Sequence, residues 1–363
     1  MSIPIISYFS GGGFLDLGFE LEDFEVVWSN EISVNISKIY NSGLSSTLKK
    51  KKQISSNESI ELVNTSLLKK NVIKNIKSNL WGIIGGPPCP DFSVGGKNKG
   101  KNGDRGKLSK IYVDHICSLK PSFFIFENVK GLIRTKKHKE FFDELVQQLE
   151  DSGYAVDYKL LNALDFGVPQ DRERIILLGI RKGLYKSLFS KKYSGEKNWY
   201  SWPKAKYPKA KESYDWNDLN NPNLPDELKV GSYIMNQEEL SHLANSNEYF
   251  VAKSPKFNEI EEGDTSRKSF KRLHRNKYSP TAAYGNNEVH LHPTLGRRLS
   301  VREALRIQTV PDSYVINGAI TLSTKFKVIG NGVPVKLSKA IAESMRCLLL
   351  KLNKAISFFS LVT

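Results

Sequence analysis

Residues 3–20 read IPIISYFSGGGFLDLGFE, in which an apolar run leads into three glycines and then into a helical pattern. The apolar run predicts a buried strand. Glycines directly after a strand let the backbone turn tightly at the carboxyl end of a sheet, where doubly wound folds bind nucleotides. Further apolar runs at 24–30, 82–86 and 122–128 alternate with loops or helix-like segments. This alternation predicts an α/β fold with a parallel, doubly wound sheet.

Composition bounds the class of protein. The 363 residues, 39% of them hydrophobic, are enough for a main domain and a second lobe. No stretch approaches the ~18 uninterrupted apolar residues of a membrane span, and the first residues lack the blocks of a signal peptide. We therefore expect a soluble, cytoplasmic protein that does not associate with a membrane.

The charge balance favours a polyanionic partner. The chain carries 54 lysines and arginines against 38 aspartates and glutamates, a net charge of +16. Neutralising phosphates with such residues releases counterions, so a nucleic acid fits this excess. Tracts such as residues 49–52, all lysines, leave open the alternative of a solvated, lysine-biased surface.

The cysteines indicate neither a disulfide framework nor a metal site, because all three are far apart and no Cys-x-x-Cys pair occurs. Cys117 and Cys347 lie in apolar, helical settings that are typical of small buried residues. Cys89 differs, since Pro87 and Pro88 stiffen the chain before it. A thiol held in this way is a candidate nucleophile if a positive field or a helix terminus lowers its pKa.

Charged residues follow the predicted strands at the same sheet edge. Glu31 comes about 20 residues after the glycines, where an acid typically accepts hydrogen bonds from ribose hydroxyls, which predicts an adenosine-containing cofactor. Glu127 ends an apolar strand, which would desolvate its carboxylate and raise its pKa for proton transfer. Arg172 and Arg174 precede another strand and could hold a phosphate or a base oxygen. Solvent around Glu127, or ion pairs of the two arginines with neighbouring acids, are the alternatives.

The sequence becomes polar, irregular and dotted with aromatic residues after residue 190, which predicts a separate lobe with long loops or an inserted disordered stretch. We predict a first domain over 1–190, a lobe over 191–317 and a C-terminal segment over 318–363 that returns to the first domain. One helix face in that last segment is apolar, formed by Leu337, Ile341, Met345 and Leu348.

In order and spacing, these segments resemble the DNA cytosine carbon-5 methyltransferases of the bacterial restriction-modification type. The resemblance rests on FSGGGFLDLGFE (9–20), SNE (29–31), GGPPCPDFSVGGKNKG (85–100), FENVKG (126–131), LNALDFGVPQDRERI (161–175), RRLSVREALRIQTVPDSY (297–314) and VIGNGVPVKLSKAIA (328–342). It implies a Rossmann-like methyltransferase domain that uses S-adenosyl-L-methionine, with a smaller, irregular target-recognition lobe over 191–317.

The resemblance also implies the chemistry. The Cys89 thiolate would add to carbon 6 of cytosine, assisted by Glu127 at ring nitrogen 3, so that carbon 5 can attack the methyl group. Because carbon 6 is inaccessible in a stacked duplex, the cytosine would first flip out. Arg174 and Arg172 would be further catalytic residues that orient the base and the nearby backbone, and Asn128 would fix the turn at Glu127.

Binding residues follow from the same resemblance. Those implied for the cofactor are Phe9, Ser10, Gly11, Gly13, Phe14, Leu15, Glu31, Ile32, Pro87, Asn331 and Val333. Those implied for DNA are Ser93, Lys97, Arg105, Thr281 and Tyr284, and a mobile loop over 95–106 would close behind the flipped base. Arg272 is expected at DNA because it lies in a basic stretch that suits phosphates but equally suits a solvated face, formed by Arg267, Lys268, Lys271, Arg272 and Arg275. The expected partner is double-stranded DNA, bound by a monomer, and a cognate restriction endonuclease encoded nearby would act without forming a stable complex.

Three features depart from the family pattern. Phe14 stands at a usual glycine, Pro90 replaces the glutamine that usually follows the catalytic cysteine, and no acid between residues 45 and 80 can be assigned to the adenine ring. One alternative is a transfer RNA cytosine methyltransferase of the same family, although the long lobe favours DNA. The other is a DNA-binding relative without turnover, although Cys89 and Glu127 are both present.

Overall fold

The computed structural model describes residues 2–88, 104–219, 223–251, 255–267, 269–282, 284 and 289–362. Strands and helices alternate up to residue 189: β1 (Ile3–Tyr8), α1 (Phe14–Glu20), β2 (Phe24–Asn30), α2 (Val34–Leu48), α3 (Thr65–Asn71), β3 (Gly82–Gly85), α4 (Asp104–Leu119), β4 (Phe123–Val129), α5 (Lys136–Asp151), β5 (Tyr154–Asn162), β6 (Glu173–Arg181) and α6 (Lys182–Phe189). Shorter elements follow: α7 (Ala210–Ser213), α8 (Gly231–Ile234), α9 (Gln237–Ser241), β7 (Phe270–Arg272) and β8 (Val289–Leu291). The chain continues with α10 (Val301–Ile307), α11 (Leu322–Asn331) and α12 (Val335–Val362).

Six strands form one sheet in the order β2-β1-β3-β4-β6-β5, which confirms the α/β class. The strands β2, β1, β3 and β4 pair in parallel as predicted, but β6 runs antiparallel to both β4 and β5. The expectation of a wholly parallel sheet is therefore wrong at β6. The cause is the short connection from β5, where residues 163–172 hold one 3₁₀ turn, whereas a parallel return needs a crossover of about a dozen residues or more.

Helices cover both faces of this sheet. Because its strands are buried on both sides, almost all of their residues are apolar. On one face, α1 and α12 pack over strand residues that include Ile5, Ile84 and Ile125. On the other face, α4 and α5 pack over Ile6, Ile83, Phe124 and Phe126. The residues of the predicted apolar face of the last helix, Leu337, Ile341, Met345 and Leu348, are all buried in the first of these cores.

The two ends of the segment 191–317 pack on the α/β unit. The indole of Trp199 donates to the carbonyl of Val156 at 2.8 Å, so this segment covers the exposed edge of β5. At the other end, the Tyr314 hydroxyl donates to the carbonyl of Gly12 at 2.6 Å. The domain boundaries at 190 and 317 stay predictions. Among the described residues, none of the helices combines the length and the apolar character that a bilayer crossing requires.

Candidate active site

The glycine-rich segment after β1 forms a tight turn into α1. Phe9, Gly11 and Gly13 all have positive φ values, of 54°, 56° and 77°. A Cβ on Gly13 would lie 2.4 Å from Cδ1 of Leu44, so this position combines a left-handed backbone with no room for a side chain. The turn is closed by the amide of Gly13, which donates to the carbonyl of Ser10 at 2.8 Å.

Glu31 follows β2 directly and reaches back to that turn. Its carboxylate accepts hydrogen bonds from the amides of Gly11 at 3.1 Å and Ser33 at 2.9 Å. Burial raises the pKa of Glu31, and the hydrogen bonds from the two backbone amides oppose that rise. The next residue, Ile32, is 63% exposed, so a buried carboxylate and an open apolar side chain lie side by side.

The structure brings one further residue to Glu31 that the sequence analysis missed. Ser56 pairs with Asn30 in an isolated parallel bridge, which sets Asn57 beside the end of β2. The Asn57 amide donates to the carbonyl of Glu31 and to the hydroxyl of Ser37, both at 2.6 Å. An asparagine in a serine-rich stretch carries no local signal for this position, since only the pairing with β2 reveals it.

A second set of residues without a sequence prediction lies under the glycine turn. Asp16 is completely buried and accepts hydrogen bonds from the hydroxyls of Ser7 at 2.7 Å and Tyr40 at 2.9 Å. The Ser7 and Ser10 hydroxyls are 2.9 Å apart. Burial raises the pKa of Asp16 to about 6. This network therefore joins the turn to α1 and α2 through an acid that is easily protonated.

Phe14, Leu15 and Val333, which the resemblance assigned to the cofactor, are buried. Leu15 and Val333 belong to the core under α12. Phe14 packs edge-on against Tyr314, with ring centroids 5.4 Å apart. Asn331 is exposed at the end of α11.

Glu127 and Arg174 form the charged centre of the site. Arg174 on β6 lies opposite Val129 on β4, which puts it diagonally next to Glu127 on the same face. The Arg174 Nε atom is 2.8 Å from Glu127 Oε1, and both side chains are about nine-tenths buried. Burial raises the pKa of Glu127, while the charges of Arg174 and Arg172 oppose that rise.

The loop after β3 packs directly against this pair. A Cβ on Gly86 would lie 2.6 Å from Glu127 Oε2, so only glycine lets the loop approach the carboxylate. Asn128 holds the loop from the other side, because its amide donates to the carbonyl of Pro87 at 3.2 Å. Glu127, Arg174 and Pro87 are thus brought together at the carboxyl ends of β3 and β4.

Cys89, Pro90, Ser93 and Lys97 lie outside the described residues, as do the side chain of Arg105 and residues 95–103 of the expected mobile loop. Their assignments stay predictions. The last three residues of that expected loop, 104–106, are helical and begin α4.

Arg172 lies two residues before Arg174 but has different partners. Its guanidinium donates to the side chain of Gln170 and to the carbonyls of Ala282 and Gly330. All of these acceptors are protein groups. The contacts of Arg172 therefore do not favour the expectation that it orients the base directly.

The predicted DNA contacts in the lobe divide into one exposed and two buried residues. Thr281 is exposed, and its hydroxyl donates to the carbonyl of Asp171 at 2.6 Å. Tyr284 is buried and packs against His290 and Phe326. Arg272 is only 5% exposed and donates to the carbonyls of Phe257, Ile260, His292 and Leu295. The expectations of DNA contacts at Arg272 and Tyr284 are therefore corrected: Arg272 binds backbone carbonyls inside the lobe, and the ring of Tyr284 lies in a hydrophobic core with Phe326.

The family described as C-5 cytosine-specific DNA methylase matches residues 3–347. The Type II methyltransferase M.NmeDI of Neisseria meningitidis serogroup C is 45% identical over 359 residues, which cover 94% of this chain and 83% of that relative. The Type II methyltransferase M.FnuDI of Fusobacterium nucleatum is 33% identical over 351 residues, which cover 95% and 94%.

Two solved structures share the fold. The S. pombe Dnmt2 methyltransferase aligns with a TM-score of 0.61 at 16% identity and covers 97% of this chain and 99% of its own. A Spodoptera frugiperda DNMT2 mutant aligns with a TM-score of 0.60 at 18% identity and covers 96% and 100%. At these identities the likeness concerns the fold alone.

Proposed function

The chain belongs to the C-5 cytosine-specific DNA methylases and is a DNA methyltransferase of the restriction-modification type, and from that membership we propose its mechanism. It transfers a methyl group from S-adenosyl-L-methionine to carbon 5 of a flipped-out cytosine in a specific short duplex sequence. The observation that carries this proposal is the buried ion pair of Glu127 with Arg174, next to the loop that leads from β3 to Cys89.

The edge formed by β1 and β2 fits S-adenosyl-L-methionine. Glu31 offers a carboxylate for ribose hydroxyls, and the exposed side chain of Ile32 offers an apolar surface for the adenine ring. Asn57 bonds to the carbonyl of Glu31, and we propose its side-chain oxygen as the partner for the polar edge of that ring. The turn at Phe9–Gly13 has no side chain at Gly11, where a Cβ would meet only the carbonyl of Phe9 at 3.8 Å, so its backbone is open to close approach there. Bound there, the cofactor supplies an electrophilic methyl group.

The residues of this chain prepare cytosine for that methyl group. Carbon 5 of cytosine is a weak nucleophile, so we propose that the Cys89 thiolate forms a bond to carbon 6 while Glu127 donates a proton to ring nitrogen 3. Arg174 holds the Glu127 carboxyl group in place for that transfer. Carbon 5 thereby gains enamine character and can form its bond to the methyl group. A base, such as a water molecule, then takes the carbon 5 proton, which breaks the bond from carbon 6 to sulfur and releases the thiolate, and the proton on ring nitrogen 3 returns to Glu127.

Access to carbon 6 requires the base to leave the helix stack. We propose that the segment over 95–106, whose last three residues begin α4, closes behind the flipped cytosine with Ser93 and Lys97, and that Thr281 contacts the DNA backbone. The protein would act on duplex DNA as a monomer, beside a restriction endonuclease that recognises the same sequence.

The decisive experiment is bisulfite sequencing of DNA from cells that express the protein, with cells that express Cys89→Ser as the control. We expect protected cytosines at one short sequence in the first sample and none in the control. Tritiated methyl transfer to purified duplex DNA and to transfer RNA separates the two substrates. Transfer to RNA alone would replace the DNA proposal by its nearest rival, and equal transfer by Cys89→Ser would remove the nucleophile.

A further inference from the structure

Arg172 is almost completely buried near the proposed active site, at 1% exposure. Its Nη1 atom lies 3.4 Å from the side-chain oxygen of Gln170 and 3.3 Å from the carbonyl of Ala282. Its Nη2 atom lies 2.9 Å from the carbonyl of Gly330. One guanidinium therefore joins the segment before β6, the lobe and the end of α11.

The lobe and the segment before β6 are also joined through their backbones. The amide of Asp171 donates to the carbonyl of Ser279 at 2.9 Å, and the amide of Ser279 donates to the carbonyl of Pro169 at 2.8 Å. Gln170 and Ser279 form a parallel bridge. The hydroxyl of Thr281 adds a third bond, to the carbonyl of Asp171. A displacement of this part of the lobe must therefore displace the residues that lead into β6.

The end of α11 lies on the other side of Arg172. The last four carbonyls of a helix have no partner within it, and a cation near them is favourable. Arg172 bonds to one of these carbonyls, at Gly330, and Gln308 bonds to the one before it, at Ile329. A Cβ on Gly330 would lie 2.8 Å from the amide nitrogen of Tyr284, so the lobe packs directly against this helix end.

We propose that Arg172 is a positioning residue, which couples the DNA-contacting segment of the lobe to the Glu127–Arg174 pair and to the end of α11 at Asn331. This inference rests on the proposed function and refines it. Arg172 and Arg174 alternate along one extended segment and project to the same side. The junction that locates the first arginine therefore sets the position of the second against Glu127.

The charge of Arg172 gives this coupling a measurable signature. Among the described residues, the charges that act on Glu127 are those of Arg174 and Arg172, and Gly86, which packs on the carboxylate, has no side chain. Both cations favour the ionised carboxylate and lower the pKa of Glu127. Glu127 is active as the protonated acid, so activity is lost as the pH rises through its pKa. Removing the charge of Arg172 should raise the pKa of Glu127. The fall of kcat at rising pH, which is the descending limb of the pH profile, should then move to higher pH.

The test compares Arg172→Lys, which keeps the charge, with Arg172→Met, which removes it. The control is Arg302, another completely buried arginine that donates to backbone carbonyls, those of Ala244, Pro311 and Tyr314, replaced by Lys and by Met in turn. The substrate is a duplex that carries the site mapped by bisulfite sequencing. The readouts are kcat, the Kd for duplex, and the pH profile of kcat.

We expect both Arg172 variants to lose about tenfold to hundredfold in kcat with an unchanged duplex Kd, because the reacting groups are misplaced and not removed. The descending limb should move to higher pH in Arg172→Met alone, and neither Arg302 variant should move it. Retained kcat, a loss of duplex binding in step with kcat, or the same limb in the Lys and Met variants would each overturn the proposal. Failure of the proposed function is distinct, because the wild-type protein would then transfer no methyl group.

A measurement on the wild-type chain decides the matter if the Met variant does not fold. Hydrogen exchange is followed in peptides over 169–174, 277–282 and 328–333, with the mapped duplex and with a scrambled duplex. The mapped duplex should slow exchange in all three peptides together. If exchange slowed in the lobe peptide alone, DNA binding at the lobe would not affect the segment before β6 or the end of α11, and the proposed coupling would be overturned.

Discussion

The ring of Phe14 occupies the space that a side chain at position 332 would need. A Cβ on Gly332 would lie 2.2 Å from Cδ2 of Phe14, although the backbone of Gly332, with φ of −66°, suits any residue. Tyr314 packs against the other side of Phe14 and bonds to the carbonyl of Gly12. Phe14, which departs from the family pattern, is thus accommodated by a glycine more than three hundred residues away.

The first prediction concerns this pair. Gly332→Ala should lower the free energy of unfolding by about 1–3 kcal/mol through overpacking, and Phe14→Ala should lower it by about 3–5 kcal/mol. The double variant should lose less free energy of unfolding than the two single variants together, since the alanine methyl group then enters space that Phe14 has left. Urea unfolding measures all three. Gly183→Ala is the control, because a Cβ there meets nothing within 4 Å. Strict additivity would contradict the contact.

The second prediction concerns the acid. Glu127→Gln should lower kcat by about 10²–10⁴-fold, because the amide cannot transfer a proton to the base. The KM for S-adenosyl-L-methionine should stay unchanged, since the cofactor edge lies at β1 and β2. Glu173→Gln is the matched control, because its partly exposed ion pair with Lys130 lies outside the site. Similar kcat values for the two variants in methyl-transfer assays would argue against proton transfer by Glu127.

The third prediction is a covalent complex. A duplex with 5-fluorocytosine at the mapped position should remain bound to the protein in denaturing gels, because fluorine cannot leave carbon 5 as a proton does. The adduct should require the cofactor and Cys89. Cys347→Ser should retain it, since Cys347 is an exposed, free thiol. An adduct that survives Cys89→Ser would assign the nucleophile elsewhere.

The fourth prediction concerns pH and the buried Asp16. Burial raises its pKa from 3.8 to about 6, so the folded state favours the protonated acid more than the unfolded chain does. Its contribution to stability is therefore complete below about pH 4 and is lost as the pH rises to about 6. Asp16→Asn stays neutral at every pH. The free energy of unfolding of this variant, relative to that of the wild-type protein, should therefore rise by about 3 kcal/mol between about pH 4 and pH 6. Urea titrations at several pH values that give parallel curves for the two proteins would contradict this.

Local sequence patterns predicted the elements that build the site. The strand, the glycine turn and Glu31 follow from an apolar run, from glycines with positive φ and from an acid at a fixed distance along the chain. Glu127 was found in the same way, because the end of a buried strand desolvates whatever acid stands there. These features depend on near neighbours in the chain, so the sequence carries them without reference to the rest of the fold.

Other features depend on partners that are remote in the chain. The direction of β6 follows from a connection too short for a crossover, and Asn57 reaches Glu31 only because Ser56 pairs with Asn30. Arg272 looked like one of several exposed cations, yet four carbonyls of the lobe surround it. A basic stretch has the same composition whether its arginines face water or backbone oxygens.

By itself, the sequence determined the order of the strands and helices along the chain, the family and the identity of the groups that the chemistry requires. The tertiary structure decided which partners two neighbouring arginines have: Arg174 forms an ion pair with Glu127, while Arg172 bonds to both the lobe and α11. The physical reason is that a buried guanidinium must find acceptors for its hydrogen bonds. Those of Arg172 are backbone carbonyls at positions 282 and 330, which only the folded chain brings to it.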